Sequence, residues 1–328
     1  MSTTSIQWTD RNWGYQQGCS QKDTGCKNCY AAAIANIRAN NPKVPQYNSE
    51  ISNWDGHLNL HIPGLVEPLL REKGASWFPS MTDPFHENTP DEWIALAFCV
   101  MALSPQHHFL ILTKRPERIQ QWLDSRIGYH VKGAVLDDYL CWAMDGYAAS
   151  LVEVIARSEK LSYTCPKVSA YDAILLATSR RDKGDGTIWE KRSHDWPLPN
   201  VALGTSIAAQ SLVEGRMSII HNLRKQGWKT FVSAEPLVEE VNLHLDRFPC
   251  DQVIVGGESG YGARPFHLEW ARSLVEQCSA TGVNCFVKQL GKRPVDSTHS
   301  FHFNDSKGGD INEWPAELRV RQPLFSAE

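Results

Sequence analysis

Three of the nine cysteines, Cys19, Cys26 and Cys29, fall within eleven positions of the stretch GCSQKDTGCKNCYAAAIANIR. Thiols crowded on one loop can hold metal, carry out redox chemistry, or simply be buried as small hydrophobes. Three thiolates can take three corners of a cubane [4Fe–4S] cluster and leave one iron open to a small molecule. A closed zinc site wants a fourth donor. His57 and His61 offer one only from a distance and outside finger-like spacing, and there is no second Cys-x-x-Cys. Cluster, zinc and plain structural cysteines all remain open at this level. The six scattered cysteines, Cys99, Cys141, Cys165, Cys250, Cys278 and Cys285, read as mostly buried.

A second set of reactive groups sits where apolar runs end. SMTDPFH brings Asp83 and His86, LTKRP brings Lys114 and Arg115, and GTSI brings Ser206. SAEPL supplies Glu235, GGESGYGARP supplies Glu258 and Arg264, and FVKQLG supplies Lys288 and Gln289. In parallel α/β architectures the C-terminal strand ends all point one way, so such residues meet on one face. Any single one reads as well as a helix cap or a surface charge. The Gly-Gly-Glu segment does not match the dinucleotide fingerprint and is either an anion-approach loop or a tight turn.

The elements that must position these groups follow from the runs themselves. Strands are expected at 5–8, 75–79, 108–113, 201–206, 230–233, 252–256 and 285–288, with helices between them. One helix is expected from Thr89, with Thr89 as N-cap, Pro90 at the first position and Trp93, Ala97, Val100 and Met101 on one face. Another carries Ala271, Leu274, Val275 and Cys278 and stops near Gly282. After Cys29, the residues Tyr30, Ala33, Ile34 and Ile37 share a helical face. Strands alternating with helices predict a parallel sheet, either an open or closed (β/α) barrel or a doubly wound sheet. Residues 128–196 break the rhythm and read as an insertion, a surface elaboration or a substrate-facing lid.

The chain has 328 residues, 42% hydrophobic and 21% charged, which is ordinary globular material. The N-terminus lacks a signal-peptide pattern and no run is apolar enough to span a bilayer, so the expectation is a cytoplasmic protein with no membrane partner. A net charge of −4 excludes a global basic footprint for nucleic acid. A local patch is left open by Arg180, Arg181, Lys183, Lys191 and Arg192, and twelve tryptophans offer stacking surfaces, although they serve equally as core.

IQWTD, CSQKDTGCKNCY, LTKRPER, SAEPL, VGGESGYGARP and FVKQLG, in that order over about residues 5–126 and 197–293, closely resemble the three-Cys-motif phage proteins. That family, largely of unassigned function, is regarded as similar to radical S-adenosylmethionine (SAM) enzymes. The resemblance implies an α/β fold built as a partial (β/α) barrel of about six or seven mostly parallel strands, radical-SAM-like, with an insertion. The barrel domain would comprise 1–127 and 197–295, with an insertion subdomain at 128–196 and a C-terminal extension at 296–328. Cys19, Cys26 and Cys29 would ligate a [4Fe–4S] cluster. From their places at the strand ends and beside the cysteines, not from the resemblance, Tyr30, Ser206, Glu235, Glu258, Arg264 and Lys288 are the residues expected to contact SAM. Against these roles stand Tyr30 as helix core, Glu235 as a partner of Lys114, and Arg264 as a surface ion pair. The implied activity is reductive cleavage of SAM to start radical chemistry on an unknown substrate, with a nucleic-acid base or nucleotide as one class. An external electron donor would be a partner, and a nucleic acid or a partner protein is further open. The alternative is a zinc-stabilised, nonenzymatic nucleic-acid-associated phage protein. Two features differ from the radical SAM pattern: six residues separate Cys19 from Cys26, and Gly-Gly-Glu follows the sixth apolar run.

Overall fold

The computed structural model describes residue 4 and residues 6–125, 196–297 and 303–325. Seven strands form one sheet: β1 (Arg11–Asn12), β2 (Ser76–Phe78), β3 (His108–Thr113), β4 (Val201–Ser206), β5 (Lys229–Ala234), β6 (Gln252–Gly256) and β7 (Asn284–Gln289). They lie side by side in chain order, and every neighbouring pair is parallel. Chain-order parallel strands joined by right-handed crossovers keep their helices on one side, so the sheet curls in one direction. The result is an open, partial parallel barrel. Its main helices are α1 (Tyr30–Arg38), α2 (Asp91–Leu103), α3 (Pro116–Leu123), α4 (Val213–Lys225) and α5 (Leu268–Thr281). Among the described residues no helix is long and apolar enough to cross a membrane.

Alternation along each strand separates two apolar layers. Phe109, Ile111, Val201, Leu203, Val232, Val253, Val255 and Val287 join the large core beneath the helices. Leu110, Ala202, Phe231, Ile254 and Phe286 point the other way, into the concave face. Burial on both faces explains why these strands read as continuous apolar runs. Gly204 on β4 leaves room for a ring there: a Cβ would meet Phe231 at 2.5 Å.

The lower end of the concave face is filled by side chains from both ends of the chain. Trp8 packs 4.6 Å from Phe78 and 6.0 Å from Phe231, ring centre to ring centre. Leu324 is buried in the same cluster, and the Phe325 ring stacks on His108 at 4.0 Å. Segment 303–325 also covers the exposed edge of β7, where the Val287 amide donates to Val320 O at 2.8 Å and the Gln322 amide to Cys285 O at 2.9 Å. An edge strand paired in this way offers no template for another chain.

Three local expectations are corrected. Residues 6–8 are outside any strand, and the first strand is β1, because Trp8 turns inward to fill the concave face. Helix α2 starts at Asp91 with Pro90 in the cap position and no side-chain cap. Thr89 is instead buried, its hydroxyl accepting from Gln16 Nε2 at 3.0 Å, because a buried amide must find acceptors. On α1 the buried positions are Ala31 and Ala35, whereas Tyr30 and Ile37 are 45% and 78% exposed. The small alanine face lets the helix lie close to Tyr47, Ile51 and Met81. Helix α5 matches expectation, with Ala271, Leu274 and Cys278 buried and Gly282 closing it at φ 70°. Of the scattered cysteines, Cys250, Cys278 and Cys285 are buried. The insertion read at 128–196 lies, apart from Trp196, outside the described residues.

Candidate functional site

A cavity of about 190 Å³ opens at the C-terminal ends of the strands, and Cys19, Cys26 and Cys29 all line it. Asp83, Lys114, Ser206, Glu235, Glu258 and Lys288 line it too. The polar residues at the ends of separate apolar runs therefore do meet, as a parallel sheet requires.

The cysteine loop is tied across the sheet by two anchors. Asp23 caps the turn Thr24–Cys26 by accepting the Gly25 amide at 2.9 Å. The same carboxylate meets Lys114 Nζ after β3 at 2.9 Å and Arg216 of α4 at 2.7 Å. Burial alone would raise the Asp23 carboxyl, but Lys114 and Arg216 outweigh it and hold it below the ordinary value. The second anchor is Asn28, whose Nδ2 donates to Glu258 Oε2 and to Gly262 O, each at 3.0 Å. Glu258 in turn accepts the Arg264 amide at 2.7 Å and the Arg264 guanidinium. Burial works against ionisation of Glu258, and its bonds from Arg264 and Asn28 overcome it. Arg264 is thus the partner of a buried carboxylate, not a surface ion pair.

None of the three cysteines is in a disulfide. Cys26 Sγ receives the Lys22 amide at 3.4 Å. Cys29 occupies the N-cap position of α1, where amides and helix dipole favour negative charge. Burial pushes its thiol up, opposed by the Ala32 and Ala31 amides. Burial, with Asp83 adding to it, pushes the Cys19 thiol up to about 12. Among the described residues no three His, Cys, Asp or Glu side chains gather closely enough to hold a single metal ion. His57 Nδ1 is turned to Asp55 at 2.7 Å and His61 Nδ1 to Gly14 O at 3.2 Å, and neither histidine lines the cavity that holds the three cysteines. A cubane makes a different demand, since each thiolate binds its own iron and the sulfurs stand apart. Cys19, Cys26 and Cys29, none of them in a disulfide and all on one cavity, are the residues that could hold such a cluster.

Behind Cys19 lies a buried polar network. Asp83 accepts the Thr113 hydroxyl at 2.5 Å, the Lys114 amide at 3.1 Å and Arg115 Nη1 at 3.0 Å. Arg115 also pairs with Glu87 and donates to Ser20 Oγ at 2.9 Å. His86 Nε2 lies 2.7 Å from the same Ser20 oxygen. This is not a nucleophile and base. The Asn88 amide donates to His86 Nδ1 at 3.0 Å, which leaves the ring hydrogen on Nε2 and makes that nitrogen a donor. Burial, with Arg115 adding to it, lowers the His86 pKa and keeps the ring neutral.

Across the cavity, Lys288 Nζ meets Glu235 Oε1 at 2.5 Å. Lys114 belongs to Asp23, so the pairing of Glu235 with Lys114 is corrected. Ser206 Oγ donates to Glu235 O at 3.0 Å. Tyr30 is not helix core; it stands at the cavity wall and donates to Ser80 O at 3.0 Å. Sequence reasoning missed Asp23, Asn28 and Ser20, which lie between the cysteines or beside them. Their proximity to the thiols was the available signal, but their partners lie 66 to 230 residues away.

The profile of one protein family matches residues 3–313. The chain belongs to DUF5131. Members of DUF5131 are described as proteins of unknown function. No curated protein matches the chain, and no solved structure does. The match spans the cysteine loop and every strand of the sheet, so the site of this DUF5131 chain has to be read from its own chemistry.

Proposed function

We propose that the chain is a radical-SAM-like iron–sulfur enzyme in which Cys19, Cys26 and Cys29 hold a [4Fe–4S] cluster. One observation carries the reading: three unpaired thiols from one loop line a cavity that also contains the Glu235–Lys288 pair, at the strand ends of a parallel half-barrel. A cluster held by these three cysteines would supply the electron for reductive cleavage of the SAM sulfonium.

The chain's own residues bind, orient and exclude water. The amino-acid end of SAM carries one charge of each sign, and Lys288 and Glu235 present the complementary pair. Ser206 fixes the Glu235 backbone, and so the direction of that carboxylate. Glu258 and Arg264 act one step away from the ligand: by holding Asn28 they keep the cysteine loop across the cavity. The Tyr30 ring, anchored through its hydroxyl, and Trp54 are flat walls that suit an adenine or a substrate base. An electron donor is the partner this chemistry requires.

The zinc reading draws on basic residues at 180–192, which lie outside the described residues, and a single-ion site would gather its donors around one point. Oxygen-free purification decides between the two. Iron, sulfide and a visible chromophore are expected, all lost when the three cysteines become alanine, with 5′-deoxyadenosine formed on adding dithionite and SAM. Colourless protein carrying zinc and no iron would overturn the proposal.

A further inference from the structure

Ser20, next to Cys19, carries a hydroxyl proton whose direction is set by its neighbours. With the hydrogen of His86 on Nε2, that nitrogen donates to Ser20 Oγ across 2.7 Å. Arg115 Nη2, which can only donate, gives a second bond to the same oxygen at 2.9 Å. A hydroxyl oxygen has two lone pairs, and both are used. Among the described residues no acceptor is recorded for the Ser20 proton, and Ser20 lines the cavity together with Cys19. The two donors are themselves fixed: His86 and Arg115 are 1% and 2% exposed, and Arg115 is clamped by Asp83 and Glu87. Two bonds donated into an oxygen strengthen the bond its own proton can give.

We propose that Ser20 donates this hydrogen bond to sulfur on the cluster side of the cavity, beside Cys19, and thereby raises the cluster's reduction potential. The inference rests on the cluster reading of the three cysteines. A reduced cluster carries one more negative charge than an oxidised one, so a donor aimed at its sulfur favours the reduced form. His86 and Arg115 are positioning residues that act through Ser20.

The test is an anaerobic redox titration, followed by electron paramagnetic resonance, of the reconstituted wild-type, Ser20→Ala and Ser20→Thr proteins. Ser20→Ala is expected to retain iron and sulfide while its equilibrium moves about tenfold toward the oxidised form, about 59 mV more negative for one electron. Ser20→Thr, which keeps the hydroxyl, is expected to titrate with the wild type. The reduced wild-type cluster is expected to show an exchangeable proton coupling, removed by deuterium and missing in Ser20→Ala, beyond those of the amides at Cys26 and Cys29. An unchanged potential in Ser20→Ala, or no exchangeable coupling in the wild type beyond those of the amides, overturns the role of Ser20 and leaves the cluster standing. Wild-type protein that takes up no iron or sulfide overturns both.

Discussion

At the scale of single residues, the site is governed by which charges face each other out of water. Asp23 has a side chain only 6% exposed and neutralises two cations. Replacing it by Asn keeps its shape but leaves Lys114 and Arg216 without a counter-charge, at a cost of about 3 kcal/mol measured by urea unfolding. The sign of the pH dependence follows from the lowered carboxyl. Its contribution is full above the unfolded value of 3.8 and disappears as pH falls through the lower folded value, so wild type and Asp23→Asn converge in acid. Lys288 makes a different prediction. Lys288→Met removes the cation facing a ligand carboxylate, so SAM affinity measured by calorimetry is expected to fall at least about tenfold, with iron content unchanged.

At the scale of elements, backbone conformation and helix propensity act with opposite signs at two glycines. Gly282 ends α5 at φ 70°, and a Cβ there would meet nothing within 4 Å, so Gly282→Ala isolates the left-handed backbone cost. Thermal unfolding is expected to report a loss of about 1 kcal/mol. Gly215 lies inside α4, also with open space around it. There Gly215→Ala is expected to add about 0.5–1 kcal/mol. The strands were the most legible elements: 108–113, 201–206 and 252–256 coincide with β3, β4 and β6 because strands buried on both faces need unbroken apolar runs. Strand β1 was illegible because two residues, Arg11 and Asn12, carry no periodicity. The exposed face of α1 was misread for a related reason. Tyr30 and Ile37 are apolar, but the alanines permit the closer approach.

At the scale of the whole molecule, an open half-barrel must cover its last strand and fill the lower end of its concave face. Segment 303–325 does both, and it buries Leu318 completely in the helix-side core. Leu318→Ala is expected to cost about 2–5 kcal/mol, read from the shift of the denaturant midpoint, although the residue does not line the cavity. A similar loss would show that a segment outside the sheet is integral to the core. A near-neutral result would assign it to the surface.

The amino-acid sequence by itself determined the parallel strands, the polar residues at their ends and the three clustered thiols, because apolar burial and thiol spacing are local properties. Tertiary structure alone decided the pairings: Asp23 with Lys114 and Arg216, Lys288 with Glu235 and not Lys114, and Ser20 between His86 and Arg115. Each charged side chain had several candidate partners within reach of its type. Which one it met depended on the curl of the sheet and the path of the cysteine loop, and both are set by the packing of segments distant in the chain.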